Sequence, residues 1–261
     1  GGLNSLSIIV NSRNIIKDAR KINQIKNKPR ICLHLNLVEG NPIGDIKKLS
    51  LLVDKQGYFN RSFFSLAVSY LLSNKIKKKE YLNQIKYEIS LQIETYSKLF
   101  NVKEIYVDSH QHYHCIPFIF DIIVGLSKHH NIRYIRIPFE YIVFDQNIFF
   151  KPINLIKVIL LNILSIRSKK ILNENNILFA DCFIGILGTG NLTYKLINKM
   201  IRKFSSINKN NNSIIEILFH PGGIKNNSYQ NENRYPKLAK FYKSKNRDKE
   251  KKYILKNNFN F

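Results

Sequence analysis

The feature that most constrains this chain is an alternation. Short β-branched or apolar runs at Leu6–Val10, Ile31–Leu37, Glu104–Asp108 (running on toward His112), Arg133–Ile137, Ile177–Phe183 and Ile214–Phe219 are separated by longer stretches with helical periodicity. Strands and helices that alternate in this way build an α/β fold with a mostly parallel sheet. The clearest helix spans Glu80–Phe100, where Leu82, Ile85, Ile89, Ile93 and Tyr96 mark one buried stripe. Further helices are predicted over Ile15–Ile25, Pro117–His129 and Leu192–Phe204, with a basic one after Pro236. Six strands fall short of a closed eight-stranded barrel.

The chain has 261 residues, enough for one large domain with its own core, and 44% hydrophobic residues exclude wholesale disorder. No internal repeat divides it, so a single domain over 1–261 is expected, with 139–180 as an inserted lid or substrate-binding excursion. The net charge of +24 would suit an anionic partner. Asn, Ile and Lys are abundant throughout and Trp is absent, the mark of A/T-rich codons, so the charge is discounted as evidence for a partner. Lysines at 75, 77, 78 and 79 and the tail from Lys237 to Lys256 read as solvated faces, and no nucleic acid is expected. Cys32, Cys115 and Cys182 are too few and too scattered for a disulfide framework, which points to reduced thiols and a cytoplasmic location. The most apolar stretch, Ile153–Ile166, is interrupted by Lys157 and Asn162 and too short to span a bilayer; it reads as a buried helix.

Histidine is scarce, yet it concentrates in three signatures: His34 in Leu33–Leu37, the run Asp108-Ser109-His110-Gln111-His112-Tyr113-His114, and His220-Pro221-Gly222-Gly223. If the second run stays extended, Asp108, His110, His112 and His114 share one face, since alternate residues of a strand point the same way. Four polar groups on one face cannot be buried without partners. His34 shares its own face with Cys32 and Asn36. Imidazoles and a carboxylate at the C-terminal ends of parallel strands suit a divalent metal with an open position for water, and hence hydrolysis. Pro221 and the two glycines present His220 on a turn.

These motifs resemble the YdjC-like carbohydrate deacetylases, which include chitooligosaccharide and hopanoid-associated relatives. The resemblance is carried by His34-Leu35-Asn36-Leu37-Val38-Glu39-Gly40 with Pro42, by Leu52–Phe59, and by the helix bearing Glu88, Gln92 and Ile93. It continues through Asp108–His114, Arg136-Ile137-Pro138-Phe139-Glu140, Asp181–Gly185 and His220-Pro221-Gly222. It implies a seven-stranded, barrel-like β/α fold and a divalent metal, Mg2+ or else Zn2+, on His34, His110 and an aspartate. The family carries that aspartate in an Ala-Asp-Asp-Phe-Gly motif on its first strand, and this sequence, opening at Gly1-Gly2-Leu3, matches only after that strand. The 261 residues are therefore expected to lack the third ligand and to be inactive or nearly so.

The resemblance further implies a hydrolase of carbohydrate metabolism that removes acetyl groups from N-acetylated amino sugars of oligosaccharides or glycolipids. In it His220 would act as the acid, Asp108 would orient the imidazoles or move protons, and His112, His114, Arg136 and Glu140 would meet the sugar. The alternative is a catalytically impaired, sugar-binding homologue. A homodimer is left open.

Overall fold

Strand β1 (Ser5–Ile8), helix α1 (Ile15–Asn23), β2 (Arg30–Leu35), α2 (Phe63–Leu72), α3 (Lys75–Phe100), β3 (Ile105–Ser109), α4 (Pro117–His130) and β4 (Ile132–Ile135) follow one another along the chain. The computed structural model describes residues 3–144, 152–189, 192–210, 212–222 and 233–256. The four strands pair in parallel in the order β1-β2-β3-β4. With residues 170–179 they form one compact unit, Asn4–Arg136 and Lys170–Phe179.

Local chemistry sets these elements. In β2, Ile31, Leu33 and Leu35 are buried while Cys32 and His34 on the other face are half-buried, the alternation expected of a strand with one face in the core. Helix α3 starts where the Asn74 side chain accepts the Lys77 N–H, and it stops where Asn101 turns left-handed at φ 47°. Its buried stripe runs Tyr81, Ile85, Ile89, Ile93, Tyr96 and Phe100, so it opens at Tyr81 rather than at the half-buried Leu82. Each such side chain taken fully from water contributes roughly 1.5–3 kcal/mol. Pro117 opens α4 and a left-handed Asn131 closes it.

The second unit comprises Gly1–Leu3, Ile137–Lys169 and Ala180–Phe261. It contains most of α5 (Pro152–Glu174), then β5 (Cys182–Ile184), α6 (Tyr194–Ile207), β6 (Ile215–Ile217), α7 (Pro236–Tyr242) and α8 (Lys245–Lys256). Strands β5 and β6 pair in parallel.

The parallel α/β class expected from sequence is observed, and six named strands are found among the described residues. The seven-stranded barrel is not: the described residues form a four-stranded and a two-stranded sheet. The chain, expected as a single domain, divides into two compact units. The expected strand Ile177–Phe183 shrinks to one bridge between Leu178 and Tyr134, with β5 beginning at Cys182. The basic C-terminal helix is two helices, α7 and α8. Helix α2 was not foreseen, because ten residues without a charge show no polar face for a periodic pattern to mark. The 139–180 excursion holds α5, and its residues 145–151 lie outside the described residues.

Candidate active site

Parallel register between β2 and β3 sets His34 beside Asp108, with Leu33 beside Val107 and Leu35 beside Ser109. His34 Nδ1 lies 2.7 Å from Asp108 Oδ1. From β1, Ser7 Oγ donates to Asp108 Oδ2 at 2.9 Å, and the Arg136 guanidinium forms an ion pair with the same oxygen. Asp108 is 2% exposed. Burial alone would raise its carboxyl, but the Arg136 guanidinium and His34 override that and hold it well below the usual carboxylate range. An ionised carboxylate only accepts hydrogen bonds, so Nδ1 of His34 carries a proton, and in the neutral ring the lone pair is on Nε2. Asp108 thus fixes the orientation of the His34 ring.

Beyond Ser109 the strand ends. Residues His110–Cys115 form a tight 3-10 turn broken by Gln111 (φ 53°) and His112 (φ 58°), both left-handed. The shared face expected for Asp108, His110, His112 and His114 therefore does not exist. Non-glycine residues in this region cost of order 1–3 kcal/mol unless neighbours fix them. Ser109 and His114 do so: Ser109 Oγ accepts the His114 N–H at 2.8 Å and lies 2.6 Å from His114 Nδ1. His114 Nε2 lies 2.9 Å from the Arg136 carbonyl, which can only accept, so Nε2 carries the proton and Nδ1 takes the Ser109 O–H. Burial lowers the His114 pKa to about 4.

The rings of His34 and His110 stand edge to face, 5.6 Å between centroids. His110 Nε2 lies 3.3 Å from Glu39 Oε1, within reach of its charge but short of full hydrogen-bond geometry. Burial lowers the His110 pKa, opposed by Glu39. His112 is half-buried, its ring 6.1 Å from that of His114, and burial with the neighbouring His114 and Arg136 keeps it neutral well below the usual imidazole value.

Glu39 sits on a loop that α3 holds from below. The Asn36 N–H donates to Gln92 Oε1 at 2.9 Å, and Gln92 Nε2 donates to the Asn36 carbonyl at 2.8 Å. Asn36 Oδ1 in turn accepts from Val38 and Glu39 N–H, and its Nδ2 donates to the Glu39 carbonyl. Glu88 accepts from Ile43 and Gly44 N–H at 3.0 and 2.8 Å.

Arg136 and His114, expected to meet a sugar, are buried and bound to Asp108 and to Ser109. A desolvated ion pair such as Arg136 with Asp108 is costly to open. Ser7, Ser109 and Gln92 were not singled out as site residues; their partners lie on other strands or helices, which spacing along one segment does not reveal.

His220 and Glu140 belong to the second unit. The His220 N–H donates to Glu250 Oε2 at 2.6 Å and its carbonyl accepts from Arg247 Nε at 3.1 Å, so α8 fixes the turn; Gly223 lies outside the described residues. Glu140, expected as a sugar contact, is fully buried and accepts N–H groups of Gly185, Ile186 and Leu187 at 3.1, 2.6 and 3.0 Å. Burial pushes its carboxyl up to about 7 despite these donors. A carboxyl whose pKa is higher folded than unfolded binds protons preferentially in the native state, so its stabilisation is full below about pH 4.5 and is lost as pH rises through about 7. Wild type should therefore lose about 2–3 kcal/mol more than Glu140→Gln between pH 5 and pH 8 in urea unfolding, the shift multiplied by roughly 1.4 kcal/mol per unit. Parallel pH profiles would refute this.

Among the described residues, no group of three or more His, Cys, Asp or Glu side chains is disposed to hold a metal ion. His34 and His110 bring two imidazoles and Glu39 lies beside His110, short of the three-donor set with an open position that a catalytic metal needs.

A parallel α/β fold with a carboxylate-paired imidazole at the C-terminal ends of two neighbouring strands places these groups where open parallel sheets carry their ligand sites. The chain belongs to the YdjC-like protein family, whose family model matches residues 1–260. A carbohydrate deacetylase of Xenopus laevis is 28% identical over 210 residues, 74% of this chain and 64% of that protein. One of Danio rerio is 29% identical over 140 residues, covering 54% and 42%, and one of Homo sapiens is 26% identical over 142 residues, covering 54% and 41%. The matched stretches thus span between two fifths and just under two thirds of these relatives. The crystal structure of an Enterococcus faecalis protein provisionally named for cellobiose-phosphate cleavage superposes with a TM-score of 0.59 at 15% identity, over 97% of this chain and 85% of the other; the likeness is one of fold.

Proposed function

We propose that this chain is a carbohydrate deacetylase, a hydrolase that splits the amide of N-acetylated amino sugars in oligosaccharides or glycolipids. The observation that carries the reading is the 2.7 Å pair of Asp108 and His34, buried beside Arg136 at the strand ends of a YdjC-like chain. The names of the relatives supply the substrate class. Asp108 locks the imidazole so that Nε2 of His34 can accept a proton from water attacking the acetyl carbonyl; acetate and the free amine are the products. His110, kept neutral by burial, is a second acceptor beside it. The two imidazoles are also the donors this unit would offer Mg2+ or Zn2+; among the described residues no third donor is disposed beside them.

A pair of imidazoles with no third donor among the described residues favours a second reading, a homologue that binds sugar without hydrolysing it. One assay separates the two. The full chain, incubated with N-acetylglucosamine oligosaccharides with and without Mg2+ or Zn2+, should release acetate and leave glycosidic bonds intact, and His34→Ala should reduce the rate by about 10²–10⁴-fold, the range for loss of a general base. Sugar binding without acetate would establish the second reading. Release of sugar fragments would refute both.

A further inference from the structure

From Lys55 to Lys79 the chain carries six cations and no carboxylate. Within that stretch, α2 turns much of its apolar surface outward: Phe64, Val68, Leu71 and Leu72 are exposed, Leu72 at 83%. Spacings of four and three put these side chains along one side of the helix. Only Leu66 of its ten residues is fully buried, while Tyr70 stacks on Phe118 at 3.9 Å to tie the helix down. The next turn adds Ile76, 82% exposed, among Lys75, Lys77, Lys78 and Lys79. Lysines in the first turn of a helix oppose its dipole, and α3 has no acidic residue there to compensate.

We infer that the α2–α3 corner docks onto an anionic membrane surface. Phe64, Leu71, Leu72 and Ile76 would enter the headgroup–acyl boundary and the lysines would meet anionic headgroups, the combination by which amphipathic segments hold to bilayers. Among the described residues no helix is long and apolar enough to cross a membrane, so the contact is one of surface docking. A second copy of the chain is disfavoured as the occupant, because it would bring two clusters of four lysines together with only Glu80 beside each. A nucleic acid would satisfy the lysines but leave five large apolar side chains in water. Docking at this corner does not depend on what the β2–β3 centre hydrolyses.

The test is co-sedimentation of the full chain with phosphatidylcholine vesicles, alone or with roughly 30% phosphatidylserine, in about 0.1 M salt. Binding to the anionic vesicles should be at least about tenfold tighter, and both K75Q/K77Q/K78Q/K79Q and L71S/L72S should lose tenfold or more, since each lysine near an anionic surface is worth roughly fivefold. Unchanged circular dichroism and urea midpoints would show both variants folded, as expected for exposed positions. Equal binding to both vesicle types, or equal binding by wild type and the variants, would overturn the inference. So would a failure to bind vesicles, whether the patch then proved to drive self-association in sedimentation equilibrium or to bind duplex DNA.

Discussion

Asp108→Ala is expected to lower the stability of the chain by about 3–5 kcal/mol and to abolish acetate release, because it leaves the buried Arg136 guanidinium without its counter-charge. It also frees Nδ1 of His34 from the hydrogen bond that fixes its tautomer. Asp108→Asn, nearly the same shape, should keep more of the fold and still lose activity, since an amide can offer its N–H to Nδ1 and so move the proton to the wrong nitrogen. Removing both charges, as in Asp108→Leu with Arg136→Met, should restore much of the stability and none of the activity. Urea unfolding and acetate assays on the four proteins measure each limb. If the double variant were no more stable than Asp108→Ala, the ion pair would not be what Asp108 supplies. The same pair gives an acid limit: a carboxyl held below its ordinary value near 3.8 stabilises the fold above about pH 4 and loses that contribution as pH falls further.

His34 was legible because a strand with one face in the core announces itself by alternation, and Leu33, Leu35 and Leu37 are buried as that pattern requires. The same reasoning failed past Ser109. Extending a two-residue period to His114 assumes that the backbone stays extended, whereas Gln111 and His112 adopt left-handed conformations, which are uncommon for non-glycine residues. Those conformations follow from the Ser109–His114 hydrogen bonds, and only Pro117, which opens α4 nearby, hinted that the strand must stop. The partners of Arg136 and Glu140 are hidden from the sequence for a related reason. A charged residue beside a motif looks like a ligand contact until its partner is known, and those partners are Asp108, 28 positions upstream, and backbone amides 45–47 positions downstream. Sequence spacing therefore shows which residues are unusual, while tertiary pairing shows what each of them bonds to.

Gln92 tests how far that pairing reaches. Its carboxamide is saturated: Oε1 accepts from Asn36, and the two Nε2 hydrogens go to the Asn36 carbonyl and to Glu88 Oε1 at 2.8 Å each. It pairs with Asn36 as a neighbouring strand would, from a fully buried position on α3. Gln92→Leu fills the space but strands an N–H, a carbonyl and part of a buried carboxylate, each costing about 1–3 kcal/mol, so a total loss of at least about 3 kcal/mol is expected. Gln92→Glu should differ in kind. Ionised, it keeps the acceptor for the Asn36 N–H, loses both donors and sets a second charge against Glu88, whose carboxyl burial already pushes upward. Protonated, it regains one donor. Its deficit relative to wild type should therefore shrink as pH is lowered from about 8 to about 5, while that of Gln92→Leu should change less. Urea unfolding of the three proteins at both pH values is the measurement. A Gln92→Leu loss below about 1 kcal/mol would mean that Asn36 finds other partners and that α3 does not hold the loop on which Glu39 faces His110.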